Sequence, residues 1–319
     1  KLEELFDVKN LNSKNINNIH KDIAASAQKV FENKLIEICN DIQKLNISKN
    51  LVYAGGCALN SLANKKIKET NIFEKIYIPY SPGDGGGSLG SAFYVHKKKN
   101  KMINLTNINS PYIGTAYTND NIKIILDKEI DPKKFKIKFY YDKDELNNNL
   151  ANLIFHNNIV GYFNGKMEFG SRALGNRSIL ANPCDSKIKE IINKKIKRRE
   201  NFRPFAPAIL EEQKSNWFCS DIKNPYMSSV EEIKINKRSV IPAVTHVDGS
   251  GRVQTVSENT NKDFYSLINK FFKISEVPIL LNTSFNENEP IVMEPIHAIN
   301  CFLRTDMDIL VLNNYLISR

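Results

Sequence analysis

The chain has 319 residues, 41% hydrophobic and 25% charged, with a net charge of +10 at pH 7, which suffices for two domains with their own cores and is an ordinary globular composition rather than that of a disordered chain. No apolar run reaches the roughly eighteen residues of a membrane span, and residues 1–30 lack the apolar centre of a signal peptide, so a cytoplasmic protein is expected. The positive charge favours anionic partners, either phosphate-bearing small molecules or nucleic acid, although Lys, Asn and Ile are abundant throughout and scattered lysines are usually solvated.

Apolar residues at helical spacing across 22–38 predict an amphipathic helix over about 20–45. The chain opens at Lys1 and this helix precedes any strand, so an entry in mid-domain is expected. The apolar run 50–54 ends at Gly55-Gly56 and is followed by a helical pattern, giving strand, tight turn, helix. Residues 73–78 repeat the strand, and Pro82-Gly83-Asp84-Gly85-Gly86-Gly87 repeats the glycine-rich turn. Two such units in succession predict an α/β layer. A polar stretch over 106–118, punctuated by Pro111 and Gly114, is the expected boundary between domains 1–115 and 116–319. Beyond it, elements at 135–141, 145–156, 159–163, 241–256, 264–272, 277–281 and 308–312 lack a regular βαβ rhythm and predict an α+β domain.

The five cysteines, Cys39, Cys57, Cys184, Cys219 and Cys301, form no C-x-x-C pair and are expected to be reduced thiols. Gly55, Gly56 and Asn60 sit where a helix should begin, so free N–H groups there suit a phosphate or ribose; a packing turn is the bland alternative. Asp84, before Gly85 and Gly86, suits a metal ligand or an Asx-turn.

The run from Lys166 to Leu180 packs Lys166, Glu168, Arg172 and Arg177 around glycines and predicts an anion-handling loop. Arg is suited to this because its planar fork bonds two oxygens at once. Glu168 is expected to fix an arginine rather than act as a base. Lys197 and Arg199 are two residues apart, as are Ser284 and Asn286; in extended backbone each pair would project to one side. Lys and Arg only donate, whereas Ser and Asn both donate and accept, so together they can neutralise and orient a phosphate or amide. Arg203 extends the basic run. His246, Asp248, Arg252 and Gln254 are expected near one face, with a structural His–Asp contact preferred over acid–base catalysis.

Taken together, the segments at Gly55-Gly56, Pro82–Gly87, Lys166–Leu180, Lys197–Arg203 and Pro278–Asn286 resemble the O-carbamoyltransferase family of nodulation and antibiotic type. The likeness runs from about Asp22 to the C-terminus. The resemblance implies the second half of an actin/Hsp70-like (ASKHA) nucleotide-binding domain followed by a YrdC-like α+β domain. It implies ATP and carbamoyl phosphate as reactants, carbamoyl-adenylate as intermediate, and a hydroxyl of a sugar or natural product as acceptor. Lys197, Arg199, Ser284 and Asn286 would carry the chemistry, and Lys166, Arg172, Arg177, Arg203, Arg252, Gly55, Gly56, Asn60, Gly85 and Gly86 would bind substrate. Asp84 would help hold a divalent metal, iron or Mg/Mn, whose other ligands lie in an absent N-terminal half, since His20, His96, His156, His246 and His297 are too dispersed for the family's His-x-x-x-His pair. No membrane partner is implied, and nucleic acid is not the expected one. Ser171 departs from the family's usual Pro, and the loop Asn286–Pro290 lacks its Gly. The alternatives are a tRNA threonylcarbamoyl-type enzyme and a nonenzymatic nucleotide- or RNA-binding module.

Overall fold

The computed structural model describes residues 2–5, 16–99 and 110–319. They fall into two compact units, Lys1–Val52 with Leu62–Tyr77, and Tyr53–Ser61 with Ile78–Arg319. The expected boundary at 106–118 lies partly outside the described residues.

In the first unit the long helix Asn18–Lys44 starts at a capping box: Asn17 accepts the His20 N–H, and the His20 side chain takes the Asn17 N–H. His20 therefore satisfies a helix terminus rather than serving chemistry. Strands β1 (Asn50–Val52) and β2 (Lys75–Tyr77) pair in parallel, with Leu51 opposite Ile76. Parallel neighbours need a crossover, and the helix Ser61–Glu69 lies between them in sequence.

Two glycine-rich turns belong to the second unit. Gly55 N–H donates to the Pro82 carbonyl at 2.6 Å, tying one turn to the other. Gly56–Leu59 is a 3-10 turn and the α-helix starts only at Ser61, so Gly55 and Gly56 do not open an α-helix as expected. Gly85 and Gly86 do, as the first residues of the helix Gly85–Lys99.

The remaining strands are β3 (Lys136–Phe139), β4 (Val160–Phe163), β5 (Arg177–Ala181), β6 (Ala206–Leu210), β7 (Glu231–Glu232), β8 (Ser250–Gly251), β9 (Gln254–Val256), β10 (Ile279–Ser284), β11 (Ile309–Leu312) and β12 (Tyr315–Ser318). Among the described residues, a mixed sheet of eight strands runs in the order β3-β12-β11-β4-β5-β10-β6-β9. The pairs β4–β11 and β6–β9 are parallel, and the other pairs are antiparallel. The result is a mixed α/β fold with one large sheet. The central strands β4, β5, β6 and β11 are buried at every residue, which is why β4 and β11 read as continuous apolar runs rather than alternating ones.

Helices Lys143–Phe155 and Lys262–Ser275 pack on each other, and Pro295–Arg304 packs on Asn119–Glu129. Phe264, Leu267, Ile268 and Phe271 of Lys262–Ser275 join the sheet in a single core. Strands β5, β6 and β12 were not expected from the sequence. β5 begins inside the glycine-rich arginine stretch, β6 carries two prolines' worth of turn signal around it, at Pro204 and Pro207, and β12 follows a two-residue turn at Asn313-Asn314 with Asn313 at φ 49°.

Candidate anion site

The site is built where β10 ends against the basic run. The short helix Ile188–Ile191 passes into a π-helical turn, Ile192–Ile196, in which Lys197 N–H reaches back five residues to the Ile192 carbonyl. Arg198 then adopts a left-handed backbone, φ 44°. Lys197 and Arg199 are thus set by a helix end and a reversal, not by the extended backbone the spacing suggested.

Lys197 is buried, and its ammonium lies 2.6 Å from the Ser284 carbonyl, 2.8 Å from the Asn286 carbonyl and 2.7 Å from Asn286 Oδ1, with Ser284 Oγ at 3.2 Å. Asn286 N–H in turn donates to the Ser284 carbonyl at 3.1 Å, a tight turn that replaces the extended Ser-x-Asn geometry. Ser284 Oγ donates to Asn286 Oδ1 at 2.6 Å. Lys197 therefore organises Ser284 and Asn286. Its donors meet protein oxygens rather than facing open space. Burial, reinforced by the charge of Arg199, pushes the ammonium down to about 7, while Glu289 opposes the shift.

Arg199, whose charge bears on Lys197, is one of three arginines that complete the site. Arg199 Nε donates to Asn193 Oδ1 at 2.7 Å, and its guanidinium lies over the Phe205 ring. Arg172 donates to the Leu59 carbonyl at 3.2 Å. Among the described residues, Arg252 Nε is buried with no hydrogen-bond partner. Burial pushes Arg252 down to about 9, and the charges of Arg172 and Arg199 push the same way, so Arg252 feels both of the other cations. A buried donor without a partner costs free energy, and clustered like charges add to the cost. An arrangement of this kind is relieved by an anion. Arg203 pairs with Glu200 at 2.8 Å on the exposed rim; burial lowers Arg199, the charge of Arg203 pushes the same way, and Glu200 opposes it. Lys166 is exposed.

The loop carrying Arg172 is held rigidly. Buried Glu168 accepts from the N–H groups of Leu174 (2.7 Å), Asn176 (2.7 Å) and Arg177 (3.3 Å). Burial raises its carboxyl, and those N–H donors resist the rise. Glu168 thus shapes the backbone rather than fixing an arginine side chain as expected. The Leu174 carbonyl accepts from Tyr112 Oη and Gln254 Nε2, both at 2.8 Å, and Asn282 Nδ2 reaches the Ala173 carbonyl at 3.2 Å. Gly175 sits at φ 109°, and a Cβ there would come within 2.2 Å of the Phe264 ring, so only glycine fits.

Arg177 departs from expectation. It is fully buried; Nη1 donates to the carbonyls of Asn164 and Asn176, Nη2 to those of Thr115 and Gly165, and the cation lies 3.5 Å from the Phe163 ring centroid. It fastens the loop and is not presented to a ligand. In the His246–Asp248 turn, Ser250 Oγ donates to Asp248 Oδ1 at 2.6 Å and lies 3.3 Å from His246 Nδ1, so Ser250 links the two side chains. Burial lowers the His246 imidazole, Asp248 opposes the shift, and Arg252 reinforces it.

Asp84 is exposed and lines a cleft of about 330 Å³ with Leu59, Ser81, Gly83, Phe169 and Ser171. Ser171 adjoins Arg172, so this cleft borders the arginine-bearing loop. In the glycine-rich turn, a Cβ on Gly86 would meet the Ser81 carbonyl at 2.1 Å. Among the described residues no three His, Cys, Asp or Glu side chains converge to hold a metal. Asp84 offers one ligand position.

The family profile for the carbamoyltransferase C-terminus matches residues 151–319, and that for the carbamoyltransferase N-terminus matches residues 1–93. The chain belongs to the carbamoyltransferase family. It is 37% identical over 304 residues to the nodulation protein NolNO of Sinorhizobium fredii, covering 94% of this chain and 44% of that protein. It is 39% identical over 300 residues to an uncharacterised protein of Methanocaldococcus jannaschii, covering 93% and 56%. The chain therefore spans about half the length of the curated relatives it matches. Among solved structures, full-length HypF in its phosphate- and nucleotide-bound form is similar at 16% identity and a TM-score of 0.38, over 56% of this chain and 22% of that one. That likeness is too distant to carry an argument. Among the described residues no helix is long and apolar enough to cross a membrane.

Several residues of the site were not singled out from the sequence. Asn193 orients Arg199, Asn282 and Tyr112 brace the Arg172 loop, and Arg198 and Glu287 join the two motifs. The signal available for Asn282 was its place inside an apolar strand, where a polar side chain needs buried partners.

Proposed function

We propose that the chain carries the adenylating part of an ATP-dependent O-carbamoyltransferase, with residues 116–319 as a YrdC-like domain and residues 1–115 as part of an ASKHA-type carbamoyl-transfer domain. The observation that carries the reading is the buried, unpartnered Arg252 Nε beside Arg172 and Arg199, next to the Lys197–Ser284–Asn286 knot. Such a site suits a polyanion whose charge rises or shifts during reaction, because preorganised cations in a water-poor site stabilise it without reorganising.

Atom balance sets the order of steps. Water cleaves carbamoyl phosphate to carbamate and inorganic phosphate. A carbamate oxygen then attacks the α-phosphorus of ATP, the bond to the bridging oxygen breaks, and pyrophosphate leaves carbamoyl-adenylate behind. Arg172, Arg199 and Arg252 neutralise the phosphates, while Ser284 and Asn286 orient the carbamoyl amide or the α-phosphate. An acceptor hydroxyl of a sugar or natural product finally attacks the carbamoyl carbon and AMP departs. Asp84, in a cleft bordering the same loop, would supply one ligand to a divalent metal completed by residues outside this chain.

Of the basic run, Lys194 and Lys195 are exposed while Lys197 is buried, so Lys197 itself is not part of an outward-facing basic surface. Incubating the chain with ATP and following pyrophosphate, with and without carbamoyl phosphate, tests the reading. Release that requires carbamoyl phosphate supports it, and absence of release from folded protein refutes it.

A further inference from the structure

Arg198 stands between Lys197 and Arg199 with no part in the scheme above, yet it holds a left-handed backbone at φ 44°. That conformation is strained for a non-glycine residue and persists where surrounding contacts over-determine it. Those contacts lead to the other motif. Arg198 Nη1 pairs with Glu287 Oε1 at 3.0 Å, and Arg198 Nη2 donates to the Arg304 carbonyl at 3.0 Å, at the end of the helix Pro295–Arg304. Carbonyls there lack intrahelical partners and attract a cation.

Glu287 follows Asn286 directly, and its side chain is only 11% exposed. Its second oxygen pairs with Arg304 Nε at 3.1 Å. Arg304 also pairs with Glu289, whose carboxylate accepts the N–H groups of Glu287 and Asn288, each at 3.2 Å. The Glu289 carbonyl accepts Asn286 Nδ2 at 2.5 Å. Lys197 and Asn286 are thus bonded to each other, and their immediate neighbours, Arg198 and Glu287, are bonded to each other as well.

We infer that Arg198 is a positioning residue: with Glu287 and Arg304 it forms a latch that holds the Asn286 loop in register with Lys197. An exposed ion pair ordinarily contributes little. This one differs because Glu287 is largely enclosed and held between two arginines, and because the loop it fixes contributes Asn286 to the site. The inference rests on the reading of that site as the one for anionic substrates.

The test uses the whole chain with Arg198→Asn, which tolerates the left-handed backbone but loses the ion pair, together with Glu287→Gln, the double variant and Arg198→Lys. The latch predicts that Arg198→Asn raises the KM for carbamoyl phosphate in pyrophosphate release about tenfold, with kcat changed less than about twofold and Tm held. The double variant should be no worse than the poorer single, and Arg198→Lys should recover most of the loss. An unchanged KM, or single effects that multiply in the double variant, would overturn the latch. A wild-type chain that releases no pyrophosphate would sink the adenylation reading separately. Amide exchange at residues 287 and 288 then decides the latch, because faster exchange there in Arg198→Asn supports it and unchanged exchange contradicts it.

Discussion

Lys197 Nζ lies 2.7 Å from Asn286 Oδ1, across 89 residues of sequence, and this contact joins the basic turn to the end of β10. With the Ser284 carbonyl at 2.6 Å and the Asn286 carbonyl at 2.8 Å, the buried ammonium fixes two polar side chains in one orientation. Replacing it by Met keeps the volume but removes the one donor that binds these oxygens together. Lys197→Met is expected to lower pyrophosphate release on the order of 100-fold, the cost of losing one preorganised group. A steady-state assay with folding checked by circular dichroism measures it.

The same lysine gives the fold a pH dependence. Its folded value of about 7 lies below the ordinary 10.5, so between these limits the unfolded chain binds a proton that the folded chain does not. Stability contributed by this group therefore rises with pH from about 7 toward 10.5 and is lost as pH falls through the folded value. Urea unfolding at a series of pH values should show this slope in the wild type and a shallower one in Lys197→Met.

Arg252 is a cost to the free protein, because its Nε is buried without a partner and the charges of Arg172 and Arg199 bear on it. Arg252→Met should raise Tm in the absence of ligand by roughly 2–4 °C, as expected for relief of about 1 kcal/mol in a domain of this size. Inorganic pyrophosphate should raise Tm in the wild type by mass action and much less in Arg252→Met. Differential scanning calorimetry with and without pyrophosphate distinguishes these outcomes.

Glu168 holds three backbone N–H groups on one carboxylate. Glu168→Ala would leave them buried and unpaired, for a loss of about 2–4 kcal/mol. Chemical denaturation measures the loss, and the same variant should weaken binding of pyrophosphate, since the loop that carries Arg172 is no longer braced.

The long helix and most core strands were legible because their apolar periodicity or continuous apolar runs follow from local burial. β5 was not, because Arg177 heads it and an arginine among glycines reads as ligand chemistry; only the carbonyls of Thr115, Asn164, Gly165 and Asn176 show where that cation is satisfied. Lys197, Arg199, Ser284 and Asn286 were read as one set; the structure joins Lys197 to Ser284 and Asn286, while Arg199 is bonded to Asn193. The i, i+2 argument misjudged how, since a π-turn and a left-handed Arg198 set the first pair, and a turn at Asn286 sets the second. Partners that come from distant strands, such as Asn282 and Gln254 beneath the Arg172 loop, leave no mark at any fixed spacing.

The most direct test of the account follows pyrophosphate from ATP in the wild type and in Arg252→Met, each with and without carbamoyl phosphate. The account predicts release by the wild type only when carbamoyl phosphate is present, and its near loss in Arg252→Met. Equal release with and without carbamoyl phosphate, or full activity in Arg252→Met, would contradict it.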